Sequence, residues 1–153
     1  ILSALRHRGI HAVGLSGLDG GVIKAQRRPP KDVLNKQTGE TETVDYGHVG
    51  DVVEVDARLI ILLLENDYMP VISSLGADDE GKIYNINADT IASEIAVMLG
   101  AEKLVLLSDV NGIYLDPKDE TSKIDRLSKA DARAMIESGN CSMRTLLMLT
   151  ASL

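Results

Sequence analysis

Short apolar runs that alternate with helical patterns constrain this sequence more than any other feature. Three such runs, at His11–Leu15, Tyr68–Ile72 and Lys103–Ser108, are bounded by glycine or polar residues. Apolar residues recur at helical spacing between them, over residues 56–65 and 88–99. This alternation is typical of strands covered by helices. The sequence therefore predicts an α/β layered fold around a mainly parallel sheet.

The remaining segments complete this outline of one domain over residues 1–153. The apolar stretches at 22–26 and 49–55 predict an antiparallel hairpin, and residues 29–44 between them predict a polar, mobile loop. Near the end, Ser128 begins a capping box for a helix over residues 129–137. Gly139 follows as its terminator.

Charge and aromatic content argue against a nucleic-acid partner. The chain has 16 Lys and Arg residues and 23 Asp and Glu residues, which gives a net charge of −7. Only four tyrosines supply aromatic rings, so surfaces for stacking on bases are scarce. The basic segment Lys24–Lys31 is interrupted by two prolines, and we interpret it as a solvated loop that faces the acidic residues Glu40 and Glu42.

Other sequence features indicate a cytoplasmic protein with no bound metal and no membrane contact. Cys141 is the single cysteine, so internal disulfides and thiolate metal clusters are excluded. The longest apolar run, Leu59–Leu64, is far shorter than the roughly 20 residues of a membrane span. The three histidines show no spacing typical of metal ligands.

Three polar or glycine-rich segments follow or precede the predicted elements. Residues 14–21 are glycine-rich and predict either a tight turn or a phosphate-binding loop. Three short polar residues occupy alternate positions before an apolar helix: Asn85, Asn87 and Asp89. This pattern predicts either a helix cap or a group of ligand-binding side chains. Residues 108–114 predict either an Asn-Gly turn or a nucleotide-binding turn.

Taken together, four segments in this order resemble acetylglutamate kinases: GLSGLDG at 14–20, VDYGHVGDV at 44–52, YNINAD at 84–89 and LLSDVNG at 106–112. The similarity extends from about Leu2 to Gly139. It implies the amino acid kinase superfamily and its three-layer α/β/α sandwich.

The resemblance also implies an activity: transfer of the γ-phosphoryl group of ATP to the side-chain carboxylate of N-acetyl-L-glutamate, a step of arginine synthesis. This carboxylate is ionised at neutral pH, so the reaction requires no general base. Catalysis then consists of positioning the reactants and neutralising charge on the phosphoryl group, with Mg²⁺ carried on the nucleotide. The implied partners are these small molecules and, for the intact protein, further copies in a homo-oligomer.

Site roles follow from the same resemblance. Asn85 and Asn87 correspond to substrate-binding residues, and Asp89 corresponds to the catalytic carboxylate that orients two lysines. The implied nucleotide-binding residues are Ser108, Asp109, Val110, Asn111, Gly112, Ile113 and Tyr114.

The sequence also departs from the family pattern. Where the family has Gly-Gly-Met-x-x-Lys, this chain has Leu146 in place of the lysine, and residues 140–153 form a divergent tail. A lysine and a Gly-Gly loop that precede these segments in the family are absent. We therefore expect a truncated or frame-shifted chain that is nearly inactive, since each lost phosphate contact costs orders of magnitude in rate.

Two other functions remain open. One is the related kinase of lysine synthesis that phosphorylates carrier-bound aminoadipate, which Leu18 and the basic segment 24–31 fit equally well. The other is a non-catalytic domain of the same fold that senses arginine. Loss of the lysines favours the arginine sensor, whereas Asn85 and Asp89 favour a kinase.

Overall fold

The computed structural model describes residues 1–35, 39–107, 112–116 and 119–138. The chain divides into two compact units, Ile1–Ala101 and Glu102–Leu153. The expectation of one domain over residues 1–153 stays a prediction. The divergent tail at 140–153 and the terminator Gly139 lie outside the described residues.

The first unit alternates helices and strands as the sequence predicts. Its described elements are α1 (Leu2–His7), β1 (Ala12–Ser16), β2 (Ile23–Arg27), β3 (Lys31–Leu34), β4 (Thr41–Val44), β5 (Gly50–Val55), α2 (Arg58–Glu65), β6 (Met69–Ser73), β7 (Leu75–Ala77), β8 (Ile83–Asn85) and α3 (Ala88–Met98). Gly9 and Gly100 follow α1 and α3 with φ of +74° and +60°, left-handed conformations that favour glycine after a helix.

The predicted α/β class is confirmed, and the strand pairing is mixed. β1 pairs in parallel with β6, and β2 pairs in parallel with β7. The pairs β2–β5 and β7–β8 are antiparallel, as the predicted hairpin of residues 22–26 and 49–55 requires. The four strands lie in the order β5-β2-β7-β8. α1 packs against β1, α2 against β6 and α3 against β5.

The structure corrects two predictions. Residues 29–44 contain the antiparallel hairpin β3–β4, rather than a loop without regular structure. Most of its side chains are exposed, so the hairpin lacks the apolar alternation that identifies a half-buried strand. The apolar run at 103–108 predicts a buried strand, but its described residues 103–107 have no regular structure and Leu107 is 96% exposed. An apolar run becomes a strand only where a neighbouring backbone pairs with it.

The core of the first unit is mostly aliphatic. Its buried residues are Val22, Ile23, Ala25, Ile60, Tyr84, Ile86 and Ile91. Tyr84 is the aromatic member, and its hydroxyl donates a hydrogen bond of 2.7 Å to the Asp78 carboxylate. This bond raises the pKa of Tyr84 and lowers that of Asp78.

Close approach of the backbone around this core depends on glycine. A Cβ atom added to Gly17, just after β1, would lie 2.0 Å from the Leu75 carbonyl oxygen. A Cβ added to Gly50, at the start of β5, would lie 2.6 Å from the Tyr84 Cβ. Both positions therefore accept no larger residue without movement of the neighbouring strand.

The second unit is described over shorter segments. They include β9 (Ile113–Tyr114), which pairs in antiparallel fashion with β10 (Lys123–Ile124), and α4 (Lys129–Glu137). The Ser128 hydroxyl accepts a hydrogen bond of 3.1 Å from the Asp131 amide and donates one of 2.6 Å to the Asp131 carboxylate. The predicted cap of α4 is confirmed.

Candidate functional site

The junction between β8 and α3 brings the three predicted polar residues of the YNINAD segment together. Asn85 is the last residue of β8, Asn87 is the N-cap of α3 and Asp89 lies in its first turn. The preceding Tyr84 is buried while Asn85 is exposed, as expected for neighbours on a strand. The exposed side of this junction is the candidate site.

Asn87 has a structural role at this junction. Its side-chain oxygen accepts a hydrogen bond of 3.0 Å from the Thr90 amide. The interpretation of the segment as a helix cap is therefore correct for Asn87, and it leaves Asn85 and Asp89 without a capping role. Their function stays a prediction.

Asp89 is placed where a carboxylate is electrostatically favoured. It is half-buried in the first turn of α3, and the unpaired amides of a helix N-terminus carry partial positive charge. Within the described part of the chain, its carboxylate accepts no hydrogen bond and forms no ion pair. No described residue therefore competes with a cationic group or a ligand for this carboxylate.

A loop of residues 45–48, here named the 45–48 loop, meets Asn85 across the sheet. The Asn85 amide donates a hydrogen bond of 2.8 Å to the His48 carbonyl oxygen, and Val49 forms an isolated parallel bridge with Asn85. β5 and β8 are the two edge strands of the four-stranded sheet. The sheet is therefore curved strongly enough that its edges meet beside the candidate site.

Two arginines bind the 45–48 loop and the strand after it. The Arg27 guanidinium donates to both carboxylate oxygens of Asp45, at 2.8 and 2.6 Å, and to the Gly47 carbonyl at 3.3 Å. Arg28 forms an ion pair with Asp51, and its guanidinium lies 5.9 Å from the centre of the Tyr46 ring. The prediction of a solvated loop at 24–31 is therefore wrong: β2 extends to Arg27, β3 begins at Lys31, and Arg27 and Arg28 pair with carboxylates of the adjoining segment.

The pKa shifts agree with this arrangement. The pKa of Asp45 is lowered, mainly by the hydrogen bond that it accepts from the Gly47 amide and further by Arg27. The pKa of Arg28 is raised by its hydrogen bonds to Asp51. Both changes favour the charged forms, so the ion pairs are present at neutral pH.

The glycine-rich segment after β1 forms a tight turn. The Asp19 carboxylate accepts hydrogen bonds from the Ser16 amide, at 2.6 Å, and from the Ser16 hydroxyl, at 2.8 Å. These bonds lower the pKa of Asp19. The turn continues through Gly20 and Gly21, both with positive φ. The predicted tight turn is confirmed, and phosphate binding by this segment stays a prediction.

The predicted nucleotide-binding segment is described only in part. Ser108, Asp109, Val110 and Asn111 lie outside the described residues. Gly112 has φ of +142°, and Ile113 and Tyr114 form β9. The nucleotide-binding roles of all seven residues, Ser108–Tyr114, stay predictions.

A cavity of about 690 Å³ lies elsewhere in the first unit. Its walls come from α1, the start of β1 and Tyr68, and they include none of the predicted site residues. Over the residues with described structure, no three His, Cys, Asp or Glu side chains are grouped as a metal site would require. Among the helices in those ranges, none has the length and apolar character needed to cross a bilayer.

Sequence reasoning missed the contribution of the 45–48 loop to this site. Within the hairpin register, Arg27 of β2 lies opposite Gly50 of β5. The predicted antiparallel hairpin brings the end of β2, with Arg27 and Arg28, next to the segment that holds Asp45 and Asp51. The sequence therefore contained a signal for these two ion pairs. The contact of His48 with Asn85 depends on the curvature of the sheet and has no local sequence signal.

The fold and the site define an α/β protein with polar groups at the end of a strand and the start of the next helix, a common location of ligand sites. A sequence model of the amino acid kinase family matches residues 1–152. The chain belongs to the amino acid kinase family.

Curated relatives are acetylglutamate kinases. That of Methanothermobacter thermautotrophicus is 42% identical over 139 residues, which cover 91% of this chain and 47% of the relative. That of Thermosynechococcus vestitus is 45% identical over 139 residues, covering 91% of this chain and 43% of the relative. The chain thus spans about half the length of the curated relatives it matches.

Solved structures confirm the α/β/α fold class. The smu.665 protein of Streptococcus mutans UA159 superposes with a TM-score of 0.71 at 29% identity, covering 98% of this chain and 55% of that protein. Aspartokinase III of Escherichia coli superposes with a TM-score of 0.61 at 20% identity, covering 98% of this chain and 32% of that enzyme. The likeness to aspartokinase III concerns the fold alone.

Proposed function

We propose that the chain carries the phosphoryl-acceptor site of an ATP-dependent carboxylate kinase, with N-acetyl-L-glutamate as the acceptor and arginine synthesis as its context. The observation that carries this proposal is the exposed Asn85 at the end of β8, followed by Asp89 in the first turn of α3, whose carboxylate has no hydrogen-bond or ion-pair partner among the described residues. The identity of 42–45% to acetylglutamate kinases supports the choice of substrate. A cytoplasmic location and a homo-oligomeric assembly belong to the same proposal.

The proposed reaction requires little covalent chemistry from the protein. An ionised carboxylate oxygen of the acceptor attacks the γ-phosphorus of ATP, the bond from that phosphorus to the β–γ bridging oxygen breaks, and ADP leaves with the electron pair. Mg²⁺ bound to the nucleotide neutralises phosphate charge. The acceptor carboxylate is ionised at neutral pH, so no residue of the site acts as a general base.

The residues of the site take distinct parts in this proposal. The Asn85 side chain has both a donor and an acceptor, which suit the amide and carboxylate groups of an N-acylated amino acid. Asn87 sets the start of α3 through its capping hydrogen bond to Thr90. Asp89 takes the position of the carboxylate that orients cationic groups around the phosphoryl group, and the leucine at position 146 leaves that arrangement incomplete in this chain. Residues 108–114 bind the nucleotide.

We further propose that this chain transfers phosphate very slowly. Leu146 stands where the family pattern has a lysine, and a leucine side chain cannot neutralise phosphate charge. Removal of one electrostatic contact in a transition state typically costs about 10²–10³ in rate. Binding of the acceptor is therefore a more sensitive assay than turnover.

The test combines calorimetric binding of N-acetylglutamate with trapping of the acyl phosphate as a hydroxamate. We expect the chain to bind N-acetylglutamate, and we expect Asn85→Ala to weaken binding at least about tenfold, because a site that loses a hydrogen-bond partner leaves polar groups unpaired. Asn66→Ala is the matched control, since Asn66 is also exposed but lies at the end of α2.

Other outcomes would redirect the assignment. Rapid hydroxamate formation would contradict the proposed loss of activity. Binding of an aminoadipate derivative without binding of N-acetylglutamate would favour the kinase of lysine synthesis. Thermal stabilisation by arginine but not by ATP would favour an arginine sensor. Failure to bind any of these ligands would overturn the proposed function.

A further inference from the structure

We infer that Arg27 is a positioning residue of the candidate site: it holds the 45–48 loop in the conformation that places the backbone of Asn85. This inference deepens the proposed function, on which its consequence for substrate binding rests. Arg27 has no direct role in the proposed chemistry. Its contacts connect to the site in two steps, through the loop and then through the His48 carbonyl.

The first step is the network within the loop. Nη2 of Arg27 donates to both oxygens of Asp45, while Nε donates to the Gly47 carbonyl. Oδ1 of Asp45 also accepts a hydrogen bond of 2.9 Å from the Gly47 amide. Gly47 has φ of +65°, a left-handed conformation that allows the chain to turn there. One guanidinium therefore binds both sides of the turn at once.

The second step is the contact between the loop and Asn85. The His48 carbonyl, which follows the turn directly, accepts the hydrogen bond from the Asn85 amide. Val49 and Asn85 form a bridge, and the Gly50 backbone lies directly against Tyr84. Displacement of the turn moves this carbonyl, and the Asn85 amide then loses its hydrogen-bond partner, while the pairing of Asn85 with Leu75 of β7 remains.

The surroundings explain why the role belongs to Arg27. Arg28 pairs with Asp51, within β5 itself, and its own amide donates to the Val49 carbonyl. Arg27 bonds instead to residues that precede β5 and lie outside any strand. Without Arg27, the turn at 45–47 keeps two contacts among the described residues: the short-range bond between Asp45 and Gly47, and the approach of the Arg28 guanidinium to the Tyr46 ring.

The expected effect is moderate, because the ion pair is partly exposed. The Arg27 and Asp45 side chains are 46% and 52% exposed. Pairs of this kind contribute modestly and are screened by salt. We expect loss of Arg27 to change the affinity of the site and the opening of the Asn85 amide by about two- to fivefold.

The experiment compares the full chain with Arg27→Gln, Arg27→Lys and the control Arg58→Gln. Arg58 forms an ion pair with Asp56 at the start of α2, so the control removes a similar charge away from the loop. Hydrogen exchange of the Asn85 amide is measured by NMR, and affinity for N-acetylglutamate is measured by calorimetry. Exchange reports the bond to His48 directly, and it requires no ligand.

Arg27→Gln should raise exchange at Asn85 and weaken acceptor binding, with both differences reduced in 1 M salt. Arg27→Lys should rescue part of each, because an ammonium retains the charge but not the guanidinium geometry that reaches Asp45 and Gly47 together. Arg58→Gln should leave both readouts unchanged. Unchanged exchange in Arg27→Gln, or an equal increase in Arg58→Gln, would overturn the inference. If the unmodified chain does not bind N-acetylglutamate, the substrate proposal fails, while exchange at Asn85 still decides the positioning role.

Discussion

Replacing Gly17 with alanine tests the packing that places β1 and β7 in this fold. A Cβ atom at this position would lie 2.0 Å from the Leu75 carbonyl oxygen and 2.7 Å from the Ile23 Cβ. Non-bonded heavy atoms of these kinds rest roughly 3.5 Å apart. Both obstacles are backbone or next to backbone, so neither can rotate away. The strand around Leu75 must therefore move by more than about 1 Å.

The magnitude follows from two opposing terms. Overpacking of a well-packed core costs about 1–3 kcal/mol, and a clash with backbone belongs at the upper end of this range. Alanine restricts the unfolded chain and recovers about 0.4–1 kcal/mol. We therefore expect Gly17→Ala to lower the free energy of unfolding by about 2 kcal/mol, which corresponds to a decrease in Tm of about 4–8 °C.

Gly14→Ala provides the matched control in the same glycine-rich segment. The three atoms nearest to a Cβ at Gly14 all belong to the Leu2 side chain, with Cδ1 at 2.8 Å, and that side chain can rotate. The two variants change the unfolded chain equally, so their difference isolates the packing. Urea denaturation followed by circular dichroism should find Gly14→Ala within about 0.5 kcal/mol of the unmodified chain. Equal stabilities of the two variants would refute the packing argument.

Two further predictions concern single side chains. Asn87→Ala should lower the free energy of unfolding, measured by urea denaturation, by about 1 kcal/mol. Asn87→Ser should keep most of this stability, because a serine oxygen can also accept the hydrogen bond from the Thr90 amide. Equal losses in the two variants would contradict the capping role. Hydrogen bonds from Arg58 lower the pKa of Asp56 from its ordinary 3.8 to about 2. The stabilisation from this carboxylate is therefore complete above about pH 4 and lost as the pH falls towards 2. Carboxyl NMR at pH 3 should find Asp56 mostly ionised, and Arg58→Gln should return its midpoint towards 3.8.

Local features of this fold were predictable because they depend on residues only a few positions apart. The Ser128 cap of α4 involves a partner three residues away, and so does the Asn87 cap of α3. Gly9 and Gly100 follow their helices because glycine adopts the positive φ found there without steric cost, which is a property of the single residue. Apolar periodicity was sufficient for α3 and for the hairpin of β2 and β5.

The wrong predictions concern segments whose partners decide their structure. β3 and β4 pair with each other although their side chains are mostly exposed, so no buried face marks them in the sequence. Residues 103–107 are apolar enough for a buried strand, yet pairing with a neighbouring strand is absent there among the described residues. A strand requires both a suitable sequence and a backbone to pair with.

The candidate site divides in the same way. Every second residue from Asn85 to Asp89 is polar, so a strand that leads into a helix here places all three at one junction. The sequence alone therefore determined that cluster. Tertiary structure alone decided that the 45–48 loop, 37 residues or more before Asn85, lies against it. That contact arises because the edge strands of the sheet meet at the bridge between Val49 and Asn85, where Gly50 leaves room for Tyr84, and no local pattern marks this meeting of distant segments.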